Sequence, residues 1–177
     1  TLLLAHPLEY RYYDEKYDSD LGYFHQNWSG SDICEWLNST GDYGFGGSQE
    51  GFYSQAFSEV EKSRILIYGS EEKASPSWDL SPRQSFESPI IKINQKVVLP
   101  SIEEVQDGGS FGFQGDKRRR FYFEETNDTD EWGEEWWLRS PGDRYGIASS
   151  VLADGSIGTD VHPTGPASHG YSGAFVR

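Results

Sequence analysis

The sequence predicts an α+β fold, and three observations carry the prediction. Short stretches with helix-start signals and helical apolar spacing occupy the first two thirds, whereas from Arg119 onward every apolar run reads as a short strand between turns. The dipeptide Asp154-Gly155 is the strongest hairpin signal in the chain and falls in that second region. The whole is 177 residues, the length of one ordinary domain with room for a proper core, and no repeat of roughly 20 to 50 residues suggests a solenoid or propeller. Residues 1–177 are therefore expected to form a single domain.

Taken in order, the opening TLLLAHPLEY reads as a strand. It is too short in apolar run for a membrane span and lacks the basic start of a signal peptide. In SGSDICEWLNS, Asp32 stands three residues before Glu35 in a capping-box-like start, with Ile33, Trp36 and Leu37 at helical spacing. GFYSQAFSEVEKSRILIYG repeats the device with Ser58 and Glu61. That places Phe57 and Val60 on a helix face ahead of a β-rich run from Ile65 to Tyr68. KINQKVVLPSIEEVQDG gives a strand near Val97 to Leu99, a proline stop, and a third box in Ser101 and Glu104. The intervening GDYGFGGSQEG and SEEKASPSWDLSPRQSFESP are rich in Gly, Ser and Pro and read as surface loops. Residues 121–123, 135–139, 148–153 and 156–161 are the strand candidates of the second region.

A formal charge of -14 sets the chain against nucleic acid and anionic membrane, so its expected partners are proteins or glycans, with no membrane insertion. Oligomeric state is not legible. The single cysteine, Cys34, excludes an internal disulfide and a thiolate metal cluster, and its place in DICEWLN suits a small buried residue.

Catalytic and metal motifs are sparse. His6, His25, His162 and His169 have no metal-ligand spacing. In the acidic run from Glu124 to Glu135, Asp128, Asp130 and Gly133 imitate the start of a calcium loop. Trp132, however, occupies a ligand position, and Arg139 stands where the bidentate glutamate belongs. The run reads as a solvated acidic loop, and the basic run at 117–120, four residues before it, as local charge compensation. Sequons at Asn27, Asn38 and Asn127 matter only in a eukaryotic secretory route. The expectation is a non-enzymatic protein with no metal and no cofactor. A structural role is expected for Arg139, paired with a carboxylate.

Several segments in series resemble one bacterial family. LLLAHPLEYRYYD, SDICEWLNS, GFYSQAFSEVEKSRIL, QKVVLPSIEEV, EWWLRSPG and ASSVLADGSI, in that order, are similar to the family called domain of unknown function 6273. The most specific pieces are WWLRSPG, the ADGSI that follows it, and WLN followed by FYSQAFSEVEKSRI. The resemblance implies a C-type-lectin-like fold with two or three short helices and a twisted antiparallel sheet, related to formylglycine-generating enzymes and to the variable proteins of diversity-generating retroelements. It also implies a bacterial cell-surface, secreted or phage setting. Formylglycine chemistry needs cysteines that this chain lacks. A family member usually ends near Val-Arg-Pro-Ala and begins with a strand before the LLL segment. The ending at Val176-Arg177 and the absence of methionine therefore imply a piece of a longer surface protein, with residues 40–51 as an insertion.

The last 40 residues, from Leu138, contain no Lys, Glu, Gln, Trp or Met, types that fill 35 of the first 137 positions. Adenine-directed diversification of asparagine codons never produces those five types. A hairpin region rich in Gly, Ser and Ala also has little use for long side chains. Both explanations stand on the sequence alone.

Strand alternation predicts the surface. With Ser149, Val151, Ala153, Ile157, Thr159 and Val161 inward, the residues Ser150, Leu152, Asp160 and His162 point outward. Asp143, Arg144 and Tyr145 after Pro141, and His169 and Tyr171 near the end, extend that face into a candidate ligand-binding site. Trp136, Trp137 and Leu138 are expected to be the buried frame beneath it. The alternative is a structural module of a bacterial or phage surface protein, without its own ligand.

Overall fold

The computed structural model describes residues 2–3, 9–10, 12–14, 17–18, 23–24, 28–40, 42–43, 49–73, 90–109, 115, 135–142, 148–161, 170–172 and 175–176. In chain order the strands are β1 (Leu2–Leu3), β2 (Glu9–Tyr10), β3 (Tyr17–Asp18) and β4 (Tyr23–Phe24), followed by a 3-10 turn at Trp28–Gly30 and helix α1 (Asp32–Asn38). Next come β5 (Asp42–Tyr43), β6 (Gln49–Glu50), α2 (Phe52–Ala56), α3 (Glu59–Arg64), β7 (Tyr68–Lys73), β8 (Ile90–Gln95), β9 (Val97–Val98) and α4 (Ile102–Val105). The last elements are β10 (Glu135–Pro141), β11 (Ala148–Val151), β12 (Ile157–Val161), β13 (Gly170–Ser172) and β14 (Phe175–Val176). The α+β class and the short helices are as the sequence predicts.

Among the described residues two sheets have three or more strands, beside the two-stranded pairs β3-β4, β5-β6 and β7-β8. A five-stranded sheet runs in the order β12-β11-β10-β13-β2, and a three-stranded one in the order β1-β14-β9. The larger is antiparallel except where β13 lies parallel to β10, with Glu135 opposite Gly170 and Trp136 opposite Tyr171. The smaller pairs Leu2 with Val176 and Leu3 with Phe175 on one side of β14, and Val98 with Phe175 and Val97 with Val176 on the other, so β14 lies between a strand from the start of the sequence and one from its middle.

Both faces of the central strand β10 are covered. Successive side chains of a strand point to opposite sides. Trp137 joins a core with Tyr13, Trp28, Ile33, Leu37, Val97 and Leu99, while Trp136 and Leu138 join a second with Val105 and Val151. All three residues of that Trp-Trp-Leu run are 0 % exposed, as expected of a frame.

The caps are informative in detail. Ser31, not Asp32, is the N-cap of α1, its hydroxyl accepting from the Cys34 amide, because Asp32 is already helical. Capping boxes at Ser58/Glu61 and Ser101/Glu104 are complete in both halves, as the sequence predicts. The helix expected from the Ser58/Glu61 box is α3, and a further helix, α2, precedes it, the two separated at Phe57, whose backbone is extended and which is not on the face of α3. Val60 is 60 % exposed rather than on a core face, because α3 buries none of its residues. The expected strand from Ile65 to Tyr68 begins only at Tyr68. It continues through Lys73 into what reads as loop, because β8 supplies a six-residue partner in register. Strand candidates 121–123, the acidic and basic runs at 117–134, and all four histidines lie outside the described residues.

Asn38 closes α1 onto β9. Its amide donates to the Cys34 and Val97 carbonyls at 3.0 and 2.8 Å, and its oxygen accepts from the Lys96 and Val97 amides at 3.0 Å each. A sequon asparagine so used is structural. An N-linked glycan there would replace one of the two amide hydrogens and so remove at least one of the bonds that the nitrogen donates.

Candidate functional site

The frame of the candidate site is held by a buried ion pair. Arg139 is 2 % exposed, and its guanidinium meets the Glu104 carboxylate at 2.6 Å, the Tyr68 hydroxyl at 2.8 Å and the Leu99 carbonyl, while lying 4.8 Å over the Tyr68 ring. Glu104 also accepts from the Tyr68 hydroxyl and, with its second role as capping-box residue, from the Ser101 amide at 2.9 Å. One carboxylate thus fixes α4, β7 and β10 together. Arg139 pairs with a carboxylate and is structural, in line with its reading from sequence. Glu104 and Tyr68 as its partners are not legible there, since only the capping half of the role of Glu104 leaves a local pattern.

Above this frame the chain turns through the β11–β12 hairpin. The Leu152 amide donates to the Ser156 carbonyl and the Gly155 amide to the Leu152 carbonyl, and Gly155 sits at φ 86°, the left-handed position that glycine takes without strain. Asp154 fixes the turn by accepting from the Ser156 amide at 2.8 Å and its hydroxyl at 2.5 Å. The Asp154-Gly155 hairpin is therefore present, with Val151 opposite Ile157 on one face as the alternation argument requires.

The predicted outward set is not wholly outward. Ser150 is 0 % exposed, because its strand is central and its cross-strand partner is Trp137, whose face is covered by the main core. Its placement on a ligand-binding face is corrected accordingly. Leu152 is half-buried: a Cβ added at Gly158 would meet its Cδ2 at 2.9 Å, so the leucine lies against the opposite strand. Asp160 lies in β12, the edge of the sheet among the described strands, and Tyr171 in β13, between β10 and β2. Asp143, Arg144, Tyr145, His162 and His169 lie outside the described residues.

A separate groove of about 480 Å³ runs beside α1, lined by Ser31, Cys34, Glu35, Asn38, Thr40 and Gln95 among others. Cys34 is one of its lining residues. Burial, and secondarily the charge of Glu35, push its thiol up to about 12, so the thiolate is scarce at neutral pH. Among the described residues no cluster of three His, Cys, Asp or Glu side chains is placed to hold a metal ion, and no helix is long and apolar enough to cross a membrane.

A family model described as a domain of unknown function, DUF6273, matches residues 1–170. The chain belongs to the DUF6273 family. No curated protein and no solved structure matches it. In this DUF6273 chain the match spans every element from β1 to the start of β13, including the Arg139 frame and the hairpin above it.

Proposed function

We propose that this DUF6273 domain is a non-enzymatic binding and display module of C-type-lectin-like architecture, which offers a protein or glycan ligand a face built from residues 143–171. The observation that supports the reading is the sharp change in burial along the chain. Residues 136–139 and 148–151 are buried throughout, whereas 152–154 and 156–159 in the hairpin are only partly covered. Variation at the partly covered hairpin positions, Ile157 apart because it packs on the Trp136 and Leu138 core, therefore disturbs the pinned frame least, which is the division of labour a display surface needs. Tyr145, Arg144, Asp143, Asp160, His162, His169 and Tyr171 supply aromatic, charged and hydrogen-bonding groups of the kind such surfaces use.

An extracellular setting, on a bacterial surface or a phage particle, and diversification of the last 40 residues belong to the same proposal. A near-copy of the coding segment, differing at adenines, in the neighbouring genomic DNA is the expected mark of diversification. The test of binding is a glycan and protein array probed with the intact protein and with Tyr145→Ala and His162→Ala. The expected result is a ligand whose capture weakens by more than about 1 kcal/mol in the variants at unchanged melting temperature. Burial of Ser150 and packing of Leu152 on Gly158 favour the second reading, a structural module whose hairpin closes its own sheet. An empty array with a folded protein supports that one.

A further inference from the structure

Among the described helices α3 alone buries none of its residues. Its six residues are too few to hold a helix in water without outside support. Val60, and Leu66 and Ile67 just beyond the helix, are exposed, so apolar packing of these side chains does not supply that support. Both flanks are seated. Upstream, Phe57 has an extended backbone, and its ring lies 5.8 Å from that of Phe52 and 5.7 Å from that of Tyr53. Downstream, Ile65 is extended again and packs against the main core. Between these two side chains α3 is held by its capping box, which is exposed, and by one polar cluster.

That cluster closes on the Lys62 carbonyl, one of the last-turn carbonyls that a helix leaves without an internal partner. The Tyr53 hydroxyl donates to it at 3.1 Å. The Lys96 ammonium donates to it at 3.2 Å and to the Tyr53 hydroxyl at 2.8 Å. The Lys62 and Lys96 ammoniums lie 5.9 and 5.0 Å from the centre of the Tyr53 ring, which this closure leaves only 3 % exposed. Lys96 has a fixed base, since its backbone amide donates to Asn38 at 3.0 Å, and its charge sits at the helix end where a cation is favourable. An element with surface hydrogen bonds and no buried side chain belongs at the low end of local stability. We propose that α3 is a latched flap: residues 58–64 open as one unit between the seated Phe57 and Ile65 and uncover the Tyr53 ring, and the Lys96 ammonium is the latch. The open state presents an aromatic ring beside a cation, a surface that the closed molecule hides. This device is separate from the proposed ligand face and stands or falls without it.

Native-state hydrogen exchange of the intact protein, read amide by amide in a series of urea concentrations below the unfolding transition, is the test. The reporters are the Lys62 and Ile65 amides, which donate to the Ser58 and Glu61 carbonyls, and the Arg139 amide of β10, which donates to the Pro100 carbonyl. A local opening exposes little surface and so barely responds to urea. Protection at Lys62 and Ile65 is expected to be at least about a hundredfold below that at Arg139 and flat with urea, while protection at Arg139 falls as urea rises. Lys96→Met, which keeps the stem and removes the ammonium, should lower protection at Lys62 and Ile65 by about tenfold or more with the urea response still flat, and so should Tyr53→Phe. Amides of α3 that follow Arg139 through the urea series, that show no protection at all, or that are unchanged in either variant overturn the proposal. If Lys96→Met does not fold, the urea series of the parent and Tyr53→Phe still decide it.

Discussion

Arg139 and Glu104 show how one polar contact is enough to align several elements. Both are almost excluded from water, so removing either partner leaves a charge with poor solvation. Glu104→Ala is expected to cost about 3 to 5 kcal/mol in chemical denaturation. Replacing both residues with apolar side chains of similar volume should recover most of that loss, and failure to recover would mean the bridge specifies the fold and does more than fill it. Trp136→Ala, which empties a fully buried site between Val105 and Val151, should likewise cost about 3 to 5 kcal/mol. A loss near zero would place the ring at the surface. Cys34 gives a pH signature. Its thiol is raised from 9.0 to about 12 in the folded chain, so below about pH 9 both states hold the proton and nothing changes. Between those values only the unfolded state loses it, and stability should fall by up to about 1.4 kcal/mol per pH unit. In Cys34→Ala that alkaline component should vanish from a denaturation series. At this scale the burial of Cys34 and of the Trp-Trp-Leu run is legible in the sequence. The burial of Ser150 is not legible, because a serine in a strand gives no sign of whether its second face is covered.

Elements were legible where a local hydrogen-bond pattern specifies them. The boxes at Ser58/Glu61 and Ser101/Glu104 are such patterns, and the hydroxyl and then the amide of Ser58 hold Glu61 below the usual carboxylate range. The two boxes nonetheless differ in setting. The first closes a surface helix, while the second includes the carboxylate that binds Arg139. Ser58→Ala should therefore cost about 1 kcal/mol and Ser101→Ala distinctly more, toward about 2, since the loosened Glu104 also serves β10. Equal losses in thermal melts would mean the cap and the ion pair are independent. The strands β7 and β8 were missed in part because Ser70 to Lys73 is polar and owes its strand to pairing with Ile90 to Ile93, a partner distant in sequence. Alternation did place Val151 and Ile157 on one face, because the Asp154-Gly155 turn fixes the hairpin register locally.

For the whole molecule, the larger sheet is assembled from strands that meet only through long-range pairing. The parallel contact of β13 with β10 and the return of β14 to β1 have no local sequence signal, whereas the α+β class and the order of elements do. The family was legible from short specific segments such as WWLRSPG, and the match over residues 1–170 extends through the frame and the hairpin. What the sequence did not yield is the balance between a hairpin that displays and one that merely closes the sheet, since both use small residues at the turn. Display requires the loop and strand-end positions to change binding without changing the fold. The most direct measurement is ligand capture on a glycan and protein array by the intact protein, Tyr145→Ala and His162→Ala, each with its melting temperature. The account predicts capture weakened by more than about 1 kcal/mol in both variants at an unchanged melting temperature. Variants that unfold, or that capture the same ligand as well as the parent does, would contradict it.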